Sequence, residues 1–179
     1  MSLTLSTFSH PLRLILQRRL LACLFAVGSI SIALPAAAIA ADMNDVHQAI
    51  NEGHLFDAFQ DLLPLAKQGN PEAQYELAGF YHWGRVGAAN FTKARDWYQR
   101  SANQGNTDAM IGLAIMYAAG NGGPVDKRTA AKWLIIADDT QKLAPSVAEW
   151  RDQLADTLTP DALAAVTTEA KAFKAKPEH

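Results

Sequence analysis

The sequence predicts an all-α fold, a solenoid of helix-turn-helix units with capping helices at its ends. Two observations predict it. Residues Gly69 to Gly84, "GNPEAQYELAGFYHWG", return in altered form as Gly105 to Gly120, "GNTDAMIGLAIMYAAG", 36 positions later. A recurrence of that length marks stacked helical hairpins, each of which needs its neighbours to bury its apolar face. The composition, 49% hydrophobic and 19% charged residues in a chain of 179, is the balance of a soluble globular protein and not of a disordered one.

Residues 1–40 are expected to be a cleaved signal peptide. Arg13, Arg18 and Arg19 precede a stretch, Leu20 to Ala41, that contains no charged side chain. The stretch ends in "PAAAIAAD", where Ala38 and Ala40 place small residues at a signal peptidase site, so the cut is expected after Ala40. Pro35 would stop the preceding helix and expose that site. The alternative is an uncleaved anchor, because twenty-two uncharged residues are just enough to span a bilayer. Two narrower export signals are set aside. In "LLAC", Leu20 to Cys23, the apolar stretch follows the cysteine, where a lipoprotein box would have it before, and Arg18-Arg19 lacks the rest of a twin-arginine pattern.

Cleavage would leave a chain with no cysteine, hence no disulfide and no thiol nucleophile. It would also remove three of the 16 basic residues and none of the 18 acidic ones, leaving a net charge of −5. That balance argues against nucleic acid or anionic lipid as a partner through bulk charge.

Residues 41–70 read as a degenerate half-repeat that caps the stack, with Asp42 to Asn51 and Leu55 to Lys67 as its helices and Pro64 kinking the second. Residues 71–140 hold two full repeats. In the first, Asn70 is the expected N-cap, Pro71 suits the first turn, and Glu72 sits where the helix dipole favours negative charge. Ala73, Leu77 and Tyr81 form one stripe with Ala78 beside it, small residues admitting a neighbouring helix and large ones filling the space. Gly84 ends the helix.

The return helix is expected over Thr92 to Asn103, with Ala94, Trp97, Tyr98, Ser101 and Ala102 facing inward. The pairs Ala73/Ala109, Leu77/Leu113, Ala78/Ala114, Tyr81/Tyr117, Gly84/Gly120, Ala94/Ala130 and Trp97/Trp133 carry the scheme into the second repeat. Burying a large apolar side chain contributes about 1.5 to 3 kcal/mol, so Trp97 and Trp133 are the expected anchors of successive hairpins. Residues 141–175 read as C-terminal capping helices, one over Ala144 to Thr157 and one from Thr159 to about Lys174. Residues 176–179 are expected to be a loose tail.

The pattern Ala-x-x-x-Leu-[Ala/Gly]-x-x-Tyr-x-x-Gly, then an acidic or Asn position, Ala and Trp-[Tyr/Leu], resembles the Sel1-like repeat family from about Asp42 to Asp139. Gly120, Gly122, Asp126, Ala130 and Trp133 stand where the family has them. The first copy departs in its loop, where Val86-Gly87 reverses the usual order and Asn90 replaces the acid. The resemblance implies a right-handed α-solenoid of the tetratricopeptide-like kind, and a protein that grips peptides or folded partners with its concave face.

Catalytic and metal signatures are absent from the sequence. His47, His54 and His82 include no i, i+4 pair and are read as surface residues. "AGNGGP", Ala119 to Pro124, has no Lys-Ser or Lys-Thr after it and no strand before it, so it serves a turn. Asp138-Asp139 reads as a solvated pair. No cofactor is expected, and the chain is not expected to be an enzyme.

The candidate site is the face opposite the Leu77 stripe. Tyr75, His82 and Trp83 lie on it in the first repeat, and Ile111 and Ile115 in the second, as anchors for a protein or peptide partner. The same residues would be plain core if the cap helices fold over them, and His82 and Trp83, at the loop edge, are the ones expected to be exposed. The function expected is that of an exported, periplasmic adaptor. The alternatives are a membrane-anchored subunit of an envelope complex and a small-ligand receptor or enzyme using the same face.

Overall fold

The computed structural model describes residues 42–178, and the predicted signal peptide with its cut after Ala40 lies outside them. Among the described residues the chain forms eight helices and no strand. These are α1 (Met43–Asn51), α2 (Leu55–Lys67), α3 (Pro71–Trp83), α4 (Phe91–Asn103), α5 (Thr107–Ala119), α6 (Lys127–Thr140), α7 (Pro145–Asp156) and α8 (Pro160–Lys171). Each helix from α1 to α6 packs on its neighbours in sequence, as a stack of hairpins does. The last two break the progression, because α7 and α8 both pack on α6 and so close the end of the stack.

Caps set the boundaries, and they repeat with the period of the sequence. The side chain of Asn70 accepts the Ala73 N–H at 2.9 Å, and Asn106 accepts that of Ala109 at the same distance. Asn90 and Asp126 do the same for Lys93 and Thr129 at the start of α4 and α6. The two intra-repeat loops close alike: the Asn90 N–H donates to the Tyr81 carbonyl at 2.8 Å and the Asp126 N–H to the Tyr117 carbonyl at 2.9 Å. The reversed Val86-Gly87 order therefore leaves the loop's hydrogen bonds intact. Gly84 has φ 60°, and a Cβ there would come within 2.6 Å of the Gly87 carbonyl oxygen, so this turn needs glycine for both conformation and space.

The core follows the predicted stripe. Ala73, Leu77 and Phe80 are buried with Val46, Ala58, Leu62 and Ala66 of the first hairpin. Ala109, Met110, Leu113 and Ala114 are buried with Ala78, Ala94, Tyr98 and the inward face of α6. Tyr81 and Trp97 touch both groups and make one continuous core of them.

The structure corrects three expectations, those for Trp97, Asp138 and the tail. Trp97 is only half-buried, with the Arg100 guanidinium lying over its ring, whereas Trp133 is buried. Helix α2, expected to be kinked at Pro64, contains that proline and runs on to Lys67. Pro64 and Gln60 are both exposed, so the Gln60 carbonyl that loses its helical donor is on the wet side, where water can replace the bond. Asp138 is not a freely solvated carboxylate: it pairs with Arg151 and accepts the Leu143 N–H. The tail is not loose over its described part, because the Lys176 N–H donates to the Asn103 carbonyl at 2.8 Å and Glu178 is bonded to three side chains.

Candidate functional site

Tyr75, His82, Trp83, Ile111 and Ile115 come together in one groove between α3 and α5, the first helices of the two repeats. The groove encloses about 190 Å³, and Tyr98, Asp108 and Gly112 complete its lining. Its floor is the Tyr98 ring, delivered from α4. A Cβ at Gly112 would fall 2.9 Å from that ring, so the absence of a side chain there is what lets α5 lie against it.

The rings make a connected set. Tyr75 and Tyr98 have centroids 5.9 Å apart. His82 stacks on Trp83 at 4.4 Å and meets Phe91 and Tyr98 edge-on at 5.8 and 6.1 Å. His82, expected at the surface, is buried at 6% exposure because these three rings enclose it. Trp83, its neighbour, is 67% exposed, and Ile115 across the groove is 41% exposed. Tyr75 and Ile111 are half-buried. The face is thus neither bare nor closed core: the capping helices pack on α6, and the groove keeps an apolar rim open to solvent.

Burial governs the ionisation of its groups. It lowers the His82 pKa below the ordinary histidine value, so the ring is neutral at neutral pH. It raises Tyr75, with the Asp108 and Glu76 charges adding to the effect, and raises Tyr98 far above the ordinary tyrosine value. Both phenols therefore stay un-ionised and keep their hydrogen-bond donors. Glu76, beside the groove, is raised by burial against the opposing charge of Arg85. The arrangement offers ring faces, aliphatic contact and neutral O–H groups, which suits holding an apolar or aromatic segment. Among the described residues no three His, Cys, Asp or Glu side chains converge as metal ligands, and no helix is long and apolar enough to cross a membrane.

Sequence reasoning found the five lining residues but assigned Tyr98 to the core and gave Phe91 no role. Phe91 is 39% exposed and directly follows the Asn90 cap. An aromatic residue in the exposed first turn of a helix, where packing does not call for one, was the available signal.

Comparisons with known proteins agree with this architecture. A family profile described as Sel1 repeat matches residues 71–106 and 107–137. The ERAD-associated E3 ubiquitin-protein ligase component HRD3A of Arabidopsis thaliana is 32% identical over 68 residues, which are 38% of this chain and 10% of that protein. Component HRD3B of the same plant is 29% identical over 86 residues, 46% of this chain and 14% of its own length. The chain thus spans only a small part of the relatives it matches. Among solved structures, a protective antigen of uropathogenic Escherichia coli strains displaying an SLR fold covers 74% of this chain with 29% of its own, at a TM-score of 0.63 and 19% identity. That likeness shows the fold. The period, the recurring caps and the matched segments together show that residues 71–137 are two Sel1 repeats, units of helical solenoids that generally mediate protein–protein interaction.

Proposed function

We propose that this protein is an exported, non-catalytic adaptor that holds a protein or peptide partner in the groove between α3 and α5. The observation that carries the reading is the open rim, where Trp83 and Ile115 stand exposed beside half-buried Tyr75 and Ile111. Exposed aromatic and aliphatic side chains around a pre-formed pocket are the usual anchors of a partner. Export to the periplasm rests on the basic start, uncharged middle and small-residue end of residues 1–40. A photo-cross-linker at position 83, with one at the exposed Phe56 as control, tests the groove in intact cells. A partner captured from position 83 and not from 56 supports the reading, and equal capture from both overturns it.

The second reading, an envelope subunit anchored by the same segment, is favoured by the uncharged run from Leu20 to Ala41. The intact mass of the native protein separates the two. A chain that begins at Ala41 supports the cleaved, periplasmic form, and one that retains the segment supports the anchor.

A further inference from the structure

A second site lies on the other side of α3, built around a polar residue that the apolar core does not explain. Gln74 is fully buried. Its Nε2 donates to the Ala66 carbonyl at 3.1 Å and to Glu178 Oε2 at 2.8 Å, and its Oε1 accepts from Gln104 Nε2 at 2.8 Å. Both amide hydrogens are therefore satisfied only while a carboxylate is present, and an unmet buried donor costs about 1 to 3 kcal/mol.

Arg100 completes the clamp. Its Nε donates to Glu178 Oε1 at 3.0 Å and its Nη2 to Oε2 at 2.6 Å, a two-pronged grip that fits a planar carboxylate. The guanidinium lies 4.5 Å from the Trp97 ring centroid, so stacking holds it in position independently of its ligand. Gln104 Oε1 accepts the Glu178 N–H at 3.1 Å and the Asn103 carbonyl accepts the Lys176 N–H, so the segment is read through its backbone as well. At the other end, Phe173 meets Trp133 edge-on at 5.6 Å. Two turn glycines admit the strand of chain between these points: a Cβ at Gly105 would come 3.1 Å from that of Ala175, and one at Gly69 would come 3.0 Å from the Glu178 carbonyl oxygen.

The occupant is held like a bound peptide. Residues 173–178 have no regular secondary structure, and Lys174, Ala175, Lys176 and Pro177 are exposed. The segment is fixed at its two ends and at one backbone bond between them. Its ion pair is partly solvated, with Arg100 40% and Glu178 30% exposed, so opening the contact costs far less than opening the core.

We propose that Gln74, Arg100 and Gln104 form a carboxylate receptor for an extended peptide that carries an aromatic ring five positions before a Glu or Asp, and that residues 173–178 are its exchangeable occupant in cis. The Glu178 carboxyl is held below the ordinary range, first by the hydrogen bonds from Arg100 and also by that from Gln74, so the occupant is charged at neutral pH. The site is separate from the α3–α5 groove and stands or falls without it.

The test uses the full chain with Phe173→Ala and Glu178→Ala, which releases the segment. The probe is a labelled, C-terminally amidated peptide with the sequence of residues 173–178, followed by fluorescence anisotropy. The released variant is expected to bind it at least tenfold more tightly than the wild type. Adding Arg100→Ala, or replacing the peptide's Glu by Gln, should then weaken binding at least tenfold, while Trp83→Ala should leave it unchanged. A helical but non-binding released variant overturns the proposal, as does binding that ignores both Arg100 and the peptide carboxylate. A second measurement needs no variant: excess peptide added to the wild type should speed hydrogen exchange at the Lys176 and Glu178 amides. Unchanged exchange there shows a fixed strap and overturns exchangeability.

Discussion

The two repeats share a frame and differ in what they present. Ala73/Ala109, Leu77/Leu113 and Ala78/Ala114 are buried in both copies, and the Asn caps and loop-closing bonds recur between them. Around that frame the positions diverge. Gln74, Arg100 and Gln104 in the first copy correspond to Met110, Ile136 and Thr140 in the second. The first set is polar and covered by residues 173–178, whereas Met110 and Ile136 are buried in the core and α6 is covered by α7 and α8. On the groove side, His82 and Trp83 correspond to Ala118 and Ala119. Equivalent backbone positions thus became an apolar cap contact in one repeat and a polar contact with residues 173–178 in the other. The fold resides in what the copies share, and both proposed sites are built from what they do not.

The sharpest way to break this comparison is to cut the shared frame. Leu77→Ala and Leu113→Ala remove fully buried side chains and should each cost about 2 to 5 kcal/mol in chemical denaturation. A large effect in one repeat with almost none in the other would show that the copies are not structurally equivalent.

The unlike positions should respond unequally. Ile136→Ala, with its parent side chain 3% exposed, belongs to the same range of about 2 to 5 kcal/mol, whereas Arg100→Ala, at a site 40% exposed, should cost about 1 kcal/mol or less. Equal losses would deny that the first repeat carries a surface clamp where the second carries core. The caps come next, with Asn70→Ala and Asn106→Ala each expected to cost about 1 kcal/mol. A difference between the two would locate unequal strain at the helix starts.

The smallest effect is a pH dependence confined to one repeat. The folded-state pKa of Glu178 lies below its ordinary value of 4.5, so its contribution is fully present above that value and is lost as pH falls through the depressed one. The charged group placed on this carboxylate, among the described residues, is Arg100, which does not titrate in that range. The NMR signals of residues 176–178 should therefore move toward those of a free segment on acidification below pH 4.5, and Glu178→Gln should abolish the change. Signals that stay fixed in the wild type would contradict the clamp.

Much of the frame was legible in the sequence because it is written locally. Caps, small-residue stripes and terminating glycines lie within a few residues of the boundaries they set, and the 36-residue period aligns the copies. The five groove residues were legible for the same reason, since helical register alone puts them on one face. The burial of His82 was not, because register does not reveal that rings from positions 83, 91 and 98 close around it. The carboxylate clamp was less legible still. It joins Gln74 to Glu178 across 104 positions, with no periodicity linking the segment that supplies the ligand to the repeat that receives it. Asp138 was misread likewise, its partner Arg151 lying in the next helix.

The central claim is that the residues unlike between the repeats, and not the shared frame, hold the partner. Its most direct test is the affinity of the partner captured at position 83 for a Trp83→Ala, Ile115→Ala double variant, measured beside the variant's melting temperature. A loss of at least tenfold in affinity with an unchanged melting temperature is expected, and undiminished affinity in the folded variant would contradict it.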